Sequence, residues 1–213
     1  FEKNETIRNT TTFEFDKNFT ENNSFKLKQS LSFFDRKISI PNYEFAGFNT
    51  NIFTDASYLW TTKKQTIITG LNFQYDDFKQ SNISTLNAKS NTIGAYIQQT
   101  WDISEDIKLE NGLRIYNVNY SNPNFSKNQI FALPKISALF KFNNKWSSRI
   151  GGGLGYKIPT IFTEQTETNQ YQNVLALNNV KAERSIGGTT DINFKTNLSD
   201  DFVFSINQMF FAT

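Results

Sequence analysis

Alternation with a period of two, sustained over unusually long stretches, constrains this chain more than any other feature of its sequence. Phe48, Thr50, Ile52, Thr54, Ala56, Tyr58 and Trp60 fall on one side of an extended backbone, and Asn49, Asn51, Phe53, Asp55, Ser57 and Leu59 on the other. Side chains of a strand point alternately to its two faces, so such a stretch meets two different environments. The pattern recurs and predicts strands at 6–15, 24–35, 48–60, 66–76, 92–101, 107–119, 130–142, 146–157, 185–196 and 201–213. Most of them are about twice the roughly 5–6 residues of a soluble strand. They match the roughly 9–11 residues that a tilted strand needs to cross a bilayer.

The connections alternate in length. Short ones are expected at 16–23, 61–65, 102–106, 143–145 and 197–200, and long ones at 36–47, 77–91, 120–129 and 158–184. Short turns make neighbouring strands antiparallel, and one short end and one long end is the habit of an up-and-down outer-membrane barrel. Trp60, Trp101 and Trp146 each stand beside a short connection on the apolar face, as an interfacial aromatic girdle requires. The apolar face of the fifth predicted strand is Ile93, Ala95, Ile97, Gln99 and Trp101; that of the eighth is Trp146, Ser148, Ile150, Gly152, Leu154 and Tyr156. The only charge read on that face is Asp35, whereas the opposite face carries Arg8, Glu14, Lys26, Lys28, Asp55, Glu110, Arg114, Lys135, Arg149, Asp191 and Lys195. A charge facing lipid at mid-depth costs about 2–4 kcal/mol, so its absence fits a lipid-facing surface. The fold class expected is therefore all-β: an antiparallel transmembrane β-barrel portion. A soluble β-sandwich also alternates, but leaves the strand lengths, the loop asymmetry and the one-ended Trp set without a cause.

Composition removes several functions. The sequence has no Cys and no His, which excludes thiol nucleophiles, His-dependent triads, disulfide frameworks and the usual zinc sites. A net charge of +2 over 213 residues supplies no basic field for nucleic acid. No apolar run reaches the roughly 18 residues of a membrane helix. The carboxylate pairs Glu105/Asp106 and Asp200/Asp201 sit in or beside short connections and serve turns and solvation rather than acid–base catalysis. Neither an enzyme nor a cofactor is expected.

Three local motifs carry a resemblance. Arg149-Ile150-Gly151-Gly152-Gly153-Leu154-Gly155-Tyr156-Lys157-Ile158-Pro159-Thr160 resembles the glycine-rich strand with its G-[FY]-[KR]-x-P-[TS] ending in TonB-dependent outer-membrane receptors. Asn179-Val180-Lys181-Ala182-Glu183-Arg184-Ser185 is similar to that family's N-L-K-P-E-x-S motif, with Ala182 in place of Pro, and Asn111-Gly112-Leu113-Arg114-Ile115-Tyr116 resembles its x-G-L-R-Y strand. The resemblance implies a nutrient receptor, of the ferric siderophore or cobalamin branches, energised through the TonB complex. It also implies a wide barrel around a plug domain, of which residues 1–213 would be a middle portion; the plug, the TonB-contacting segment and the remaining strands would lie outside this sequence. A passive outer-membrane pore is the alternative within the same architecture.

Candidate site residues follow from that frame. Gly155, Tyr156, Pro159, Thr160, Lys181 and Glu183 carry the family motifs; Arg114, Arg149, Gly151 and Gly153 face the lumen, where inward charges line either a permeation path or, as the family's filled lumen implies, the plug contact. The glycines serve either a close plug approach or wall curvature. Aromatic and amide groups of the long loops, Tyr43, Phe45, Phe125, Phe162, Tyr171 and Gln172, are the candidates for ligand contact, with packing of the loops on themselves or an outer aromatic girdle as the alternative role. The expected partners are outer-membrane lipid, the plug, TonB and a small metal chelate, with no metal held by the chain itself.

Overall fold

A computed structural model describes residues 3–159 and 176–213. They form β1 (Lys3–Thr20), β2 (Asn23–Ile40), β3 (Tyr43–Thr61), β4 (Gln65–Gln80), β5 (Ala88–Asp102), β6 (Ile107–Asn122), β7 (Phe125–Lys141), β8 (Trp146–Lys157), β9 (Glu183–Ser199) and β10 (Phe202–Ala212), with a 3-10 turn at Ser84–Leu86. The strands make one antiparallel sheet in the order β1 to β10, each beside its neighbour in sequence. This is the up-and-down wall expected from the period-two pattern. β1 and β10 are its two edges and do not pair with each other.

Register turns ten alternating patterns into two surfaces. Tyr58 pairs with Phe25 and Thr69, Leu71 with Ala56 and Ala95, Ile97 with Thr69 and Leu113, and Ile150 with Ala138 and Thr190. Directly opposed residues share a face, so the apolar sets join into one outer surface. On β4 its apolar belt runs from Ile67 to Tyr75, on β5 from Ile93 to Trp101 and on β6 from Leu109 to Ile115. A side chain that is exposed and apolar over such an area requires a nonaqueous neighbour. Trp60, Trp101 and Trp146 lie at the short-turn end of this surface and are 48%, 39% and 43% exposed.

The short turns are closed by one recurring device. The side-chain oxygens of Thr62, Ser104 and Asn143 each accept two backbone N–H groups two and three residues on: Lys64 and Gln65, Asp106 and Ile107, Lys145 and Trp146. Asn and Ser/Thr make such turns because their oxygens can replace a missing ladder partner.

The opposite end corrects the sequence reading. Connections 36–47 and 120–129 are not long loops: β2 and β3 continue to a turn at Pro41-Asn42, and β6 and β7 to one at Pro123-Asn124. Asn42 takes φ 69°, the left-handed conformation that Asn tolerates after a turn proline. In the second turn, Asn122 Oδ1 accepts the N–H groups of Asn124 and Phe125. With the longer strands, Asp35 is no longer the only charge on the apolar face. Lys37, Glu44, Asp77, Lys79 and Lys89 share it by register, all beyond the belt, with Lys37 paired to Glu44 at 2.7 Å. A charge placed outside the hydrocarbon region carries little of the lipid penalty.

Candidate functional site

The polar face is the inner, concave one. Leu177 packs against a cluster of Ile38, Phe45, Phe78 and Leu86 at the top of β2–β4, and its carbonyl oxygen accepts the side-chain amide of Asn122 on β6. One residue can touch both walls only if the sheet curves around it. A second buried cluster on the same face holds Tyr116, Val118, Tyr120, Phe131 and Ala182.

At mid-depth the inner face carries a continuous polar and aromatic ladder. The Tyr96 hydroxyl donates to the Asp55 carboxylate at 3.1 Å. The Arg114 guanidinium lies 5.0 Å over the Tyr96 ring and donates to the Tyr116 hydroxyl at 3.2 Å. Asn72 Nδ2 donates to the same hydroxyl at 3.1 Å, while Asn72 Oδ1 is buried with no protein partner. Glycines make room for the rings. Gly70 and Gly94 pair directly with Tyr96 and Tyr116, and a Cβ on Gly70 would stand 2.6 Å from Tyr96 Cζ. A Cβ on Gly94 would fall within the Tyr116 ring's van der Waals envelope. An aromatic ring laid across a neighbouring glycine recovers burial that a bare strand would lose. Two further groups of inner charges pair across strands, Lys135 with Glu110 at 2.8 Å, and Lys26 with Glu14 at 2.8 Å and Asp16 at 3.2 Å, while Arg8 lies 4.8 Å over the Phe34 ring. Asp191 accepts the backbone N–H of Arg149 at 3.0 Å.

The two family motifs meet on this face. β7 and β8 are paired from Lys135↔Gly153 to Lys141↔Ser147 and no further, whereas β8 stays on β9 up to Lys157↔Glu183. Above Gly153 the β8–β9 pair therefore leaves the wall and leans over the inner face of β7. Tyr156, expected on the lipid face, instead stacks on inner-face Phe131 at 4.4 Å and 10°, with Tyr116 at 5.7 Å. Its strand parity is unchanged; the strand itself has crossed to the inside, so its former outer side meets the β6–β7 inner wall. Glycines permit the departure. Gly152 and Gly153 oppose Gly188 and Gly187, and a Cβ on Gly151 would be 2.9 Å from Ser137 Cβ, one on Gly153 3.0 Å from Pro134 O. The space those side chains would need is taken by the wall itself.

Beyond β8, the segment 176–182 lies along the inner wall as a strap. Val180 O accepts the Tyr120 hydroxyl at 2.9 Å, Ala182 N donates to Gln129 Oε1 at 3.1 Å, and Lys127 Nζ reaches Asn179 Oδ1 at 3.4 Å. Burial pushes the Tyr120 phenol above its ordinary value, partly opposed by a backbone hydrogen bond from Ala182. It therefore remains a neutral donor at physiological pH.

The sequence-predicted residues are placed as follows. Arg114, Arg149, Gly151 and Gly153 are on the inner face by register. Tyr43 and Phe45 are β3 residues rather than loop residues, and Phe45 is 1% exposed beneath the strap. Phe125 opens β7 and meets Tyr120 edge-on at 6.0 Å. Gly155 faces Ser185 across the β8–β9 pair, Pro159 follows β8, and Lys181 and Glu183 are exposed. Thr160, Phe162, Tyr171 and Gln172 lie outside the described residues. Sequence reasoning missed Asn72, Tyr96, Phe131 and the strap's anchors Asn122 and Gln129; Tyr116 entered only as the end of a motif and Tyr120 only as an aromatic of an expected long loop. The available signal was a bulky ring on the polar face of a strand with a glycine opposite it. Among the described residues, no three acidic side chains gather as a metal site, and no helix is long and apolar enough to cross a membrane.

Residues 2–206 match the family described as TonB dependent receptor-like, beta-barrel. Among curated proteins no sequence matches. In fold the chain is similar to the FrpB iron transporter of Neisseria meningitidis in its apoprotein form, with a TM-score of 0.74 and 14% identity, covering 98% of this chain and 37% of that one. It is similar to the copper transporter OprC, with a TM-score of 0.72 and 13% identity, covering 95% and 38%. The closed ferric-catecholate import receptor Fiu of E. coli K12 gives a TM-score of 0.71 and 12% identity, covering 97% and 40%. The chain thus spans about two fifths of the length of these receptors.

Proposed function

The chain belongs to the TonB-dependent receptor β-barrel family, a family of bacterial outer-membrane transporters rather than enzymes, and on that premise we propose that it is a middle portion of the barrel of a receptor importing a scarce nutrient as a metal chelate or cobalamin. The observation that carries the reading is the two-sided wall: an outer belt free of charge across β4, β5 and β6, and an inner face carrying cross-strand ion pairs and hydrogen-bonding rings. Lipid requires the first. The second suits a lumen filled by polar protein, which can meet inner charges such as Lys28 and Lys195 that make no ion pair among the described residues.

In this reading the ladder from Asp55 to Asn72, together with Arg114 and Arg149, is the surface that a plug domain contacts. The buried Asn72 Oδ1, without a hydrogen-bond partner among the described residues, is an acceptor that a plug donor would satisfy. The wall-filled glycines Gly151 and Gly153 serve curvature. Edges β1 and β10 pair with further strands of the same wall, because exposed edges in hydrocarbon leave N–H and C=O groups unsatisfied at several kcal/mol each. Energy arrives through TonB at a segment outside these residues.

The test is uptake by the whole receptor in an iron-starved strain. Import of a radiolabelled metal chelate or of cobalamin should stop when the proton-motive force is collapsed. Uptake that continues at the same rate makes the protein a passive pore.

A further inference from the structure

The lipid-facing surface holds a groove of about 380 Å³ at the short-turn end, lined by Asn23 on β2, Tyr58 and Trp60 on β3, and Ile67 and Thr69 on β4. Its size falls in the roughly 300–1,000 Å³ range of small-molecule sites. Register builds it. Trp60 pairs with Asn23 on one side and Ile67 on the other, and Tyr58 pairs with Thr69 one outward-facing rung higher. The rings of β3 stand above these shorter side chains, and Phe19 tilts against Tyr58 at 6.4 Å to bound the groove toward β1. Asn23 Oδ1 is buried without a hydrogen-bond partner among the described residues, whereas the Thr69 hydroxyl donates to the Tyr96 carbonyl oxygen at 3.2 Å. A buried acceptor costs free energy until a donor reaches it.

The two turns beneath the groove carry opposite charges. Glu21 lies in the β1–β2 turn, Lys63 and Lys64 in the β3–β4 turn, and all three are exposed. The Thr61 N–H donates to the Asn22 carbonyl oxygen at 2.8 Å, so the two turns are held side by side. Glu21, Lys63 and Lys64 make no ion pair among the described salt bridges. An apolar trough, an unmet acceptor, a carboxylate on one side and two ammonium groups on the other complement one kind of molecule: an amphiphile whose headgroup carries both an anion and a donating cation. The other girdle tryptophans lack this setting. The turn after Trp101 carries two carboxylates, Glu105 and Asp106, and no cation, and Trp146 is covered by Phe194 at 4.7 Å.

We propose that this groove binds one phosphatidylethanolamine molecule of the periplasmic leaflet. The short turns of an outer-membrane barrel face the periplasm, and the leaflet on that side is phospholipid. One acyl chain lies against Tyr58, Trp60 and Ile67, where the rings serve both an apolar and an interfacial neighbour. The phosphate meets Lys63 and Lys64, and the ammonium donates to Asn23 Oδ1 and faces Glu21. Phosphatidylcholine offers the same charges and chains, but its quaternary ammonium has no N–H to give, so the acceptor at Asn23 stays unmet. The site concerns how the wall is seated in its membrane and is independent of the nutrient.

The experiment is native mass spectrometry of the full-length receptor, purified in detergent and stripped of lipid, then titrated with phosphatidylethanolamine, phosphatidylcholine and phosphatidylglycerol of identical chains. The variants are Asn23→Leu, Lys63→Gln with Lys64→Gln, Trp60→Ala, and Trp146→Ala as a control for girdle loss alone. Heat-modifiable mobility checks that each is folded. The expected result is one tightly held phosphatidylethanolamine, preferred about tenfold over phosphatidylcholine, as for one hydrogen bond involving a charged group. Asn23→Leu should abolish that preference. The double lysine variant should bind phosphatidylethanolamine about fivefold more weakly, as for two exposed ion pairs, Trp60→Ala about tenfold more weakly, and Trp146→Ala as wild type does. Equal binding of phosphatidylethanolamine and phosphatidylcholine by wild type overturns the proposal, and that comparison needs no variant. So does a preference that survives in folded Asn23→Leu, or a loss in Trp146→Ala as large as in Trp60→Ala, which would make the lipid a general annular one. Tighter binding of phosphatidylglycerol than of phosphatidylethanolamine overturns it too, because Lys63 and Lys64 would then act as a simple anion site without Glu21 and Asn23.

Discussion

Ile97 provides the sharpest test of which face meets lipid. It sits at the middle of the β5 belt, which runs from Ile93 to Trp101, and it is opposed by Thr69 on one side and Leu113 on the other. Replacing it with Arg puts a guanidinium at mid-depth, at a cost of about 2–4 kcal/mol. That is a shift of roughly 30- to 700-fold in the insertion equilibrium, at about 1.4 kcal/mol per decade. The next residue, Gln98, faces inward and pairs with Gly112, where a Cβ would have its nearest neighbours at 3.8 and 3.9 Å. Gln98→Arg keeps the new charge off the lipid face and opposite a residue with no side chain, and should cost less than about 0.5 kcal/mol. The penalty should also fade with height. Asn91 is on the outer face six residues along the strand from Ile97. At about 3.4 Å per residue and a tilt of about 45° this is about 14 Å along the membrane normal, just past half of an apolar band about 25 Å tall. Asn91→Arg should cost about 0–1 kcal/mol. Urea titration of the receptor refolding into lipid vesicles measures all three. Equal penalties at Ile97 and Gln98, or a penalty at Asn91 as large as at Ile97, would refute the assignment of faces.

Gly94→Val should destabilise the wall by about 1–3 kcal/mol, because its side chain must displace the Tyr116 ring, whereas Gly112→Ala should be close to neutral; urea midpoints of the two variants decide it. Removing the strap's polar anchors with Tyr120→Phe and Gln129→Ala, worth about 1 kcal/mol each, should make Lys181 more sensitive to trypsin added to intact cells, and unchanged cleavage would mean that the strap does not depend on them. The raised Tyr120 phenol gives the strap a defined pH response. Its docked form holds the proton more tightly than the free phenol at 10.0, so the contribution is complete below that value and is lost only as pH rises through the folded pKa. Trypsin sensitivity at Lys181 should therefore be flat from about pH 6 to 9 and increase only above about 10; an increase near neutrality would assign docking to another group.

What the sequence determined by itself is the wall. Alternation identifies the strands and their two faces because a strand has a strict period of two, and lipid on one side enforces it residue by residue, as from Ile93 to Trp101. The short turns and the Trp girdle were legible for the same reason: both stand where the chain meets the membrane boundary. The signal ends where the hydrocarbon ends. Residues 36–40 and 43–47 continue the β2–β3 ladder, but above the belt the alternation inverts: Ile38 and Phe45 are buried on the inner face while Lys37, Ser39 and Glu44 stand on the outer one, so the lipid-facing pattern that announces the strands does not extend through them. Only the tertiary structure decided the inner arrangement. Tyr156 follows the outer parity of β8 along the chain, and it reaches the inner wall because β8 parts from β7 above Gly153. The strap is polar and irregular in sequence, and its place is set by contacts with Phe45, Tyr120 and Gln129, far away along the chain. A local period records which solvent each face meets; it holds no record of a segment that folds back onto a surface built by other strands.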